Sequence, residues 1–502
     1  MSSIVFGRML MASSLAVHIV FAVTGIALPL LVSAAELLGI VRRDQHYTLM
    51  ARRWTRTMLV LFAVGSVTGT IVGFQLSLLW PGFMEIAGQV IALPFAIEAF
   101  AFFVEAIFLA IYVYGWDRIR NPWLHWLASL PIVVASAASG VLITTVNAFM
   151  NSPAGFTLKN GQLANIDPIA AIFNPTMPEE VSHVLVTAYL CTAVALAGLA
   201  AFALLRRRGP AAYHERALRL GMAVSAVAAM LAIMTGDRSA KSLALYQPEK
   251  LAAMEALFES QYSAPLTIGG VIDTAHQRVI GGIELPGLLS WLSFGRTDAH
   301  VTGLDAFAQS QWPPLLVHYT FDAMVGIGMW LGALTLGFWA LYFLRRGWLS
   351  RRLVLWAIAL SLPLGYVAME LGWMTTEIGR QPWILYHIMT VAQAFTTSPY
   401  VPQLFFLFLT LYAALSAGTL VVLRRYFRAH PLPEEIGAGS AGDDGGQTTP
   451  DEPAEPEQPT LPAPAAQRER RSVVRRHTHR TNTRTPQTPQ QPRTPGKVEA
   501  HG

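Results

Sequence analysis

Nine apolar runs of membrane-spanning length constrain this chain more than any other feature. They lie at roughly 14–38, 58–79, 93–114, 124–148, 181–205, 215–235, 315–344, 353–375 and 402–423. A helix crossing the hydrocarbon core needs about 20 apolar residues, and backbone facing lipid must satisfy its own hydrogen bonds. The spacing therefore predicts an all-α integral membrane protein, a bundle of nine transmembrane helices. Composition agrees, with 53% of the 502 residues hydrophobic, 13% charged and a mean hydropathy of +0.42. Soluble domains carry nearer a quarter charged residues. The first run is expected to stay as a helix rather than be cleaved as a leader, because only Arg8 precedes it and an Arg-rich loop follows.

Basic residues recur after alternate runs. Arg42, Arg43, Arg52, Arg53 and Arg56 follow the first, Arg118 and Arg120 the third, Arg206 to Arg208 the fifth, Arg345, Arg346, Arg351 and Arg352 the seventh, and Arg424, Arg425 and Arg428 the ninth. Cytoplasmic loops hold such an excess, so the N-terminus is expected outside and the C-terminus in the cytoplasm. Because these charges are scattered, the net +5 is no signal for nucleic acid, and the partner they imply is a lipid bilayer. The single cysteine, Cys191, excludes disulfides and Cys-ligated zinc or iron–sulfur sites.

The runs divide the chain into helices one to six (1–235), a long external connection (236–314) with Gly-Gly at 269–270 and 281–282, helices seven to nine (315–429), and a tail (430–502). The tail is rich in Pro, Thr, Gln and Gly, acidic first and then basic. It buries too little apolar surface to fold and is expected to be disordered.

Ionisable groups inside a bilayer are costly and read as functional. Here they are His18, Glu98, Glu105, His183, His318, Asp322 and Glu370, with Met324 beside them. With the expected orientation, His18, Glu98, His183, Met324 and Glu370 fall within two or three turns of the outer surface, on five different helices. Histidine, methionine and carboxylate ligands without thiolate suit haem iron, although each taken alone is explained as a core or hydrogen-bonded residue. Glu370 resists that explanation, because a carboxylate in hydrocarbon protonates or finds a cation. Glu98 and Glu105 share a helix face about 10 Å apart and suggest a proton relay, which Ser139 and Asn147 could extend. The segment EIGRQPWILYH at 377–387 gathers Glu377, Arg380, Gln381, Pro382 and Trp383 at one helix end.

LAVHIVF at 15–21, LPFAIEAFAFFVEAIF at 93–108, GWDR at 115–118, SHVL at 182–185, PEKLAAMEALFE at 248–259, FDAMVGIG at 321–328 and MELGWMTTEIGRQPW at 369–383 resemble subunit I of the cytochrome bd quinol oxidases, of the short Q-loop type, over roughly residues 1–430. The resemblance implies a terminal respiratory oxidase of the bacterial inner membrane. Such an enzyme oxidises ubiquinol or menaquinol at the outer face and reduces O2 to water with cytoplasmic protons, generating a proton motive force. Its cofactors would be a low-spin haem b, a high-spin haem b, and haem d or a further haem b in its place. Its partners would be subunit II and a small accessory subunit. On this resemblance His183 and Met324 are the axial ligands of the low-spin haem b. His18 and Glu370 hold the other two haems in an order left open. Glu98 and Glu105 lie on the proton path, and Lys250 and Glu255 bind quinol in the external connection, the family's Q-loop. Arg8 is a basic position near a haem. Arg380 could then pair bidentately with an anionic haem propionate, with Gln381 as a further donor and Trp383 as an interfacial anchor. Asp322 stands where some relatives carry a basic residue.

A proton-coupled transporter would explain the acids but predicts internal repeats and interrupted helices. A non-oxidase bis-His cytochrome needs His pairs along two helices. Of the thirteen histidines, most fall in loops, near helix ends or in the tail.

Overall fold

The computed structural model describes residues 2–159 and 162–432, so residues 433–502, which hold nearly all of the expected disordered tail, lie outside the described part. Among the described residues nine helices are long and apolar enough to cross a membrane: α1 (Ser3–Arg42), α2 (Gln45–Leu79), α3 (Pro81–Gly115), α4 (Pro122–Asn151), α5 (Met177–Leu205), α6 (Ala211–Tyr246), α7 (Leu316–Leu344), α8 (Arg352–Gly379) and α9 (Val401–Ala429). Several outrun the apolar runs that announce them. At 40 residues α1 is about 60 Å long, twice the ~30 Å hydrocarbon core. Charges such as Arg8 and Glu85 interrupt the apolar pattern without interrupting the helix. For the same reason α6, expected to end at 235, runs on to Tyr246, and the external connection begins 11 residues later than expected.

Side-chain contacts fix the helix directions. His18 meets Thr68, and Gly39 lies against Thr48, so α1 and α2 are antiparallel. Glu98 meets Ser139 and Gly115 lies against His125, which makes α3 and α4 antiparallel. The pairs His183–Thr235 and Ala193–Gly221 do the same for α5 and α6, and Thr320–Thr375 and Trp330–Ser361 for α7 and α8. Close approach depends on small residues, as expected where lipid provides no hydrophobic drive between helices. A Cβ on Gly221 would stand 2.8 Å from the Ala193 carbonyl oxygen.

Two of the apolar clusters stand at opposite ends of the bundle, one containing Leu28, Met58, Leu109 and Leu355, and the other Leu10, Leu79, Ile91 and Val401. Between them on α1 lies His18 and on α2 Thr68, with a smaller cluster of Ile19, Val23, Ala188, Cys191 and Met369 packed alongside.

Beyond α6 a short helix (Pro248–Met254) precedes nested antiparallel strand pairs, 261–262 with 300–301, 266–268 with 283–285, and 271–273 with 278–280. The two Gly-Gly pairs sit where the middle pair gives way to the last. Gly269, Gly270 and Gly281 take φ of 65°, 88° and 73°, a region that disfavours residues with a Cβ. The first turns of α7 hold this hairpin down. Asp322 accepts the Gly269 amide at 2.6 Å, the Tyr319 hydroxyl accepts the Ile272 amide at 3.0 Å, and His318 bonds the carbonyls of Met254 (2.8 Å) and Gly269 (3.2 Å). Asp322 is therefore a fastener of this hairpin.

At the far end of the bundle, where α1 and α3 finish, Glu36 accepts the Tyr112 hydroxyl at 2.5 Å and bonds His125 at 2.6 Å, all three buried. Sequence reasoning passed over this knot of α1, α3 and α4. Tyr112→Phe leaves the buried carboxylate one donor short, a cost of about 1.5–3 kcal/mol for a hydrogen bond to a charged group. The detergent-solubilised complex is expected to melt several degrees lower, and an unchanged melting point would show that the knot carries no stability.

Candidate functional site

The histidines His18 and His183 are built alike. His18 Nδ1 lies 3.0 Å from Thr68 Oγ1 on α2, and His183 Nδ1 lies 2.9 Å from Thr235 Oγ1 on α6. Each threonine hydroxyl already donates to its own helix, Thr68 to the Val64 carbonyl at 3.0 Å and Thr235 to the Leu231 carbonyl at 3.0 Å. A hydroxyl has one proton to give, so toward the imidazole each threonine acts as acceptor. Nδ1 must then carry the proton, and Nε2 presents a bare lone pair with no hydrogen-bond partner among the described residues. That is the tautomer a metal-ligating histidine needs, fixed by a neighbour's hydrogen bond.

Met324 and Glu370 complete the set. A Cβ on Gly372 would come within 3.0 Å of Met324 Sδ, so the glycine gives the thioether its room, and Gly328, one turn from Met324, faces open space. Gly69 and Gly236 do the same for the rings of His18 and His183, where a Cβ would stand 3.0 and 3.5 Å from Cε1. Glu370 Oε1 is buried without a partner. Among the described residues no three His, Cys, Asp or Glu side chains converge as a metal cage. Single ligands on separate helices, glycine-cleared space and an orphaned carboxylate oxygen fit a planar macrocycle that brings its own equatorial nitrogens.

Depth follows from cross-helix contacts. Thr24 of α1 bonds Tyr366 of α8 at 2.7 Å, and Thr192 of α5 donates to the Val23 carbonyl at 3.4 Å. From that plane His18, His183 and Glu370 lie toward the same end, by about 9, 13 and 6 Å. Glu98 lies lower. Its Oε1 accepts Ser139 at 2.8 Å, and the adjacent Gly140 contacts Ile26, below the plane. The expectation that Glu98 shares the layer of His18, His183 and Glu370 is corrected accordingly. Glu105, two turns further down and buried, has no hydrogen-bond partner among the described residues.

Toward the same end, the GRQPW segment closes over a buried charge cluster. Arg380, 2% exposed, donates Nη2 to Glu377 at 2.6 Å and Nη1 to Asn151 at 2.8 Å, while its Nε is buried and unpartnered. Two of the guanidinium's five N–H groups are thus given to protein acceptors, and Nε remains free for a further one. Asn147 donates to Glu377 at 2.5 Å, and Asn151 donates to both oxygens of Glu180 at 3.0 and 3.1 Å. Lys250 Nζ reaches Gln247 Oε1 and the Thr376 carbonyl, each at 3.4 Å. Gly379 of the segment makes room for the lysine stem, since a Cβ there would stand 2.9 Å from its Cγ and Cε. Arg8 sits outside the cluster, donating to Gln381 Oε1 at 3.1 Å beside a cleft of about 390 Å³ lined by Ser310, Gln311, Trp383 and Thr390.

Lys250 and Glu255 stand at opposite ends of the short Q-loop helix and are both 4% exposed, with no hydrogen bond or ion pair between them. Burial, with the nearby Asp322 charge, pushes the Glu255 carboxyl up to about 8. Burial draws the Lys250 ammonium down to about 8, against the attraction of Glu180. Glu249, between Gln247 and Lys250, accepts the Tyr386 hydroxyl and bonds His387 Nε2 at 2.8 Å, tying the Q-loop helix to the segment after GRQPW.

Sequence reasoning missed Thr68, Thr235, Asn151, Glu180, Gln247, Glu249, Tyr386 and His387. Threonine in an apolar helix is too common to signal anything, but Glu180 lies one turn before His183 and Asn151 one turn after Asn147, spacings that could have been followed.

Residues 6–431 match the family described as cytochrome bd terminal oxidase subunit I. The chain is 41% identical over 447 residues to a putative cytochrome bd menaquinol oxidase subunit I of Bacillus subtilis, covering 87% of this chain and 99% of that one. It is 33% identical to a cytochrome bd ubiquinol oxidase subunit 1 of the same organism, over 78% of this chain and 86% of that one. The solved structure of bd oxidase from Geobacillus thermodenitrificans superposes with a TM-score of 0.82 at 45% identity, covering 86% of this chain and 99% of that one. With this match and this fold, the chain belongs to the cytochrome bd terminal oxidase subunit I family, a quinol:oxygen oxidoreductase of respiratory electron transport in a multi-pass membrane protein.

Proposed function

We propose that this chain oxidises quinol at the outer face of the bacterial inner membrane and reduces O2 to water with protons taken from the cytoplasm, so that turnover builds a proton motive force. The observation that carries the reading is the matched pair His18–Thr68 and His183–Thr235, two neutral imidazoles with Nε2 freed on separate helix pairs. His183 and Met324 would hold a low-spin haem b, and His18 and Glu370 a high-spin haem b and a haem d or further haem b. Bound there, the haems would supply electron transfer and the reduction of oxygen. The chain assembles with a second membrane subunit, and a small accessory subunit completes the complex.

The remaining steps belong to side chains. Lys250 donates a hydrogen bond to one quinol oxygen, and Glu255, ionised, takes the proton of the other hydroxyl. The cluster around Arg380 and the hairpin fastened by Asp322 hold these two groups in place and exclude water. Arg8, bonded to Gln381, keeps the start of α1 against the GRQPW segment. On the opposite side Glu105 and Glu98, about 10 Å apart on one face of α3, hand protons upward, with Ser139 orienting the Glu98 carboxylate.

His183→Ala or Met324→Leu is expected to abolish the low-spin haem b band in reduced-minus-oxidised spectra of membranes holding the assembled complex. An undiminished band in both variants would remove these residues from the haem site.

The quinol site also fixes a pH profile. Glu255 gains its charge as pH rises through about 8, and Lys250 loses its charge above about 8. kcat/KM for quinol is therefore expected to be bell-shaped with a maximum near pH 8, Glu255→Gln lowering it by about 10²–10⁴-fold and Lys250→Gln removing the alkaline limb. A profile flat from about pH 6 to 9 would contradict both roles.

A further inference from the structure

We propose that Glu180 is a positioning residue for quinol oxidation, the half-buried counter-ion that keeps Lys250 charged beneath the Q-loop, an inference that rests on the quinol-binding role of Lys250 proposed above. Glu180 occupies the first turn of α5, one turn before His183. Both its oxygens accept from Asn151 Nδ2, and Asn151 Oδ1 in turn accepts from Gln247 Nε2 at 3.4 Å. Gln247 Oε1 accepts from Lys250 Nζ at 3.4 Å. Two amide side chains therefore connect the carboxylate to the ammonium.

Charge balance assigns the partners. Facing Lys250 are Glu180 of α5, Gln247 at the end of α6, and Arg380, Glu377 and the Thr376 carbonyl of α8. Lys250 and Arg380 bring positive charge, Glu180 and Glu377 negative. Glu377 is committed elsewhere, accepting Arg380 at 2.6 Å and Asn147 at 2.5 Å. Glu180 is the carboxylate left to balance Lys250. A buried ammonium without a counter-ion sheds its proton, and the Arg380 charge pushes the same way. Lys250, already drawn down to about 8, has Glu180 as the strongest attraction opposing that fall. A purely structural Glu180, a carboxylate favoured at a helix N-terminus, would influence assembly and leave the titration of Lys250 untouched.

The test compares wild type, E180Q, E180D and K250Q in the intact complex, measuring kcat and KM for quinol from about pH 6 to 9 with the haem spectrum recorded alongside. The expected result is an alkaline limb displaced to lower pH by about one unit in E180Q, a roughly tenfold loss of kcat/KM on that limb, carried mainly by KM. E180D, whose shorter carboxylate sits further from Lys250, should move the limb in the same direction by less, and it supplies the answer should E180Q fail to assemble. An alkaline limb unmoved in the Glu180 variants but absent in K250Q overturns the counter-ion role while leaving Lys250 in the quinol site. Wild-type KM and pH profile in K250Q overturn the quinol reading itself, and the inference with it.

Discussion

The account depends on a hydrogen bond of about 3 Å made twice, from imidazole Nδ1 to a threonine hydroxyl whose own proton is already given to its helix. The bond orients the ring, selects the tautomer and leaves Nε2 as a lone pair inside the bundle. An imidazole in an apolar interior would otherwise look for two partners. Providing one and withholding the other is the arrangement that supports a bound metal, and the glycines at 69, 236 and 372 withhold volume at the same places.

The second constraint is electrostatic. Two buried cations and two half-buried anions meet where α4, α5, α8 and the short helix Pro248–Met254 come together, and desolvating the cations is tolerable only if each finds a partner. Asn147, Asn151 and Gln247 fulfil that need by linking the charges through amide hydrogen bonds. The result is a rigid platform, and its one lysine is held near the pH at which it changes charge. On the other side of the same short helix, burial and Asp322 bring Glu255 to a similar balance point. An ammonium and a carboxyl are thus brought to neighbouring values by different surroundings.

The nine helices were legible because apolar runs of spanning length have few alternative folds, and GRQPW was legible as polar chemistry out of place. Helix ends were not, since Arg8 and Glu85 interrupt hydropathy while α1 and α3 continue through them. The bearers of chemistry, His18, His183, Met324 and Glu370, stood out because polar groups in an oily segment carry a cost. Their supports, Thr68 and Thr235, did not, because a threonine that bonds its own helix looks the same in sequence whether or not a histidine faces it. Arg380 was singled out as polar chemistry out of place, but Asn151 was not foreseen beside it, because it comes from a neighbouring helix and only the fold brings the two together.

The most direct test of the central claim is redox-resolved optical and EPR spectroscopy of the assembled complex carrying Thr68→Val or Thr235→Val. Each loss of a threonine acceptor should disturb one haem only, with Thr235→Val altering the low-spin signal and raising its midpoint potential, and Thr68→Val altering a high-spin signal. Spectra and potentials identical to wild type in both variants would mean that neither histidine is oriented as a ligand by its threonine.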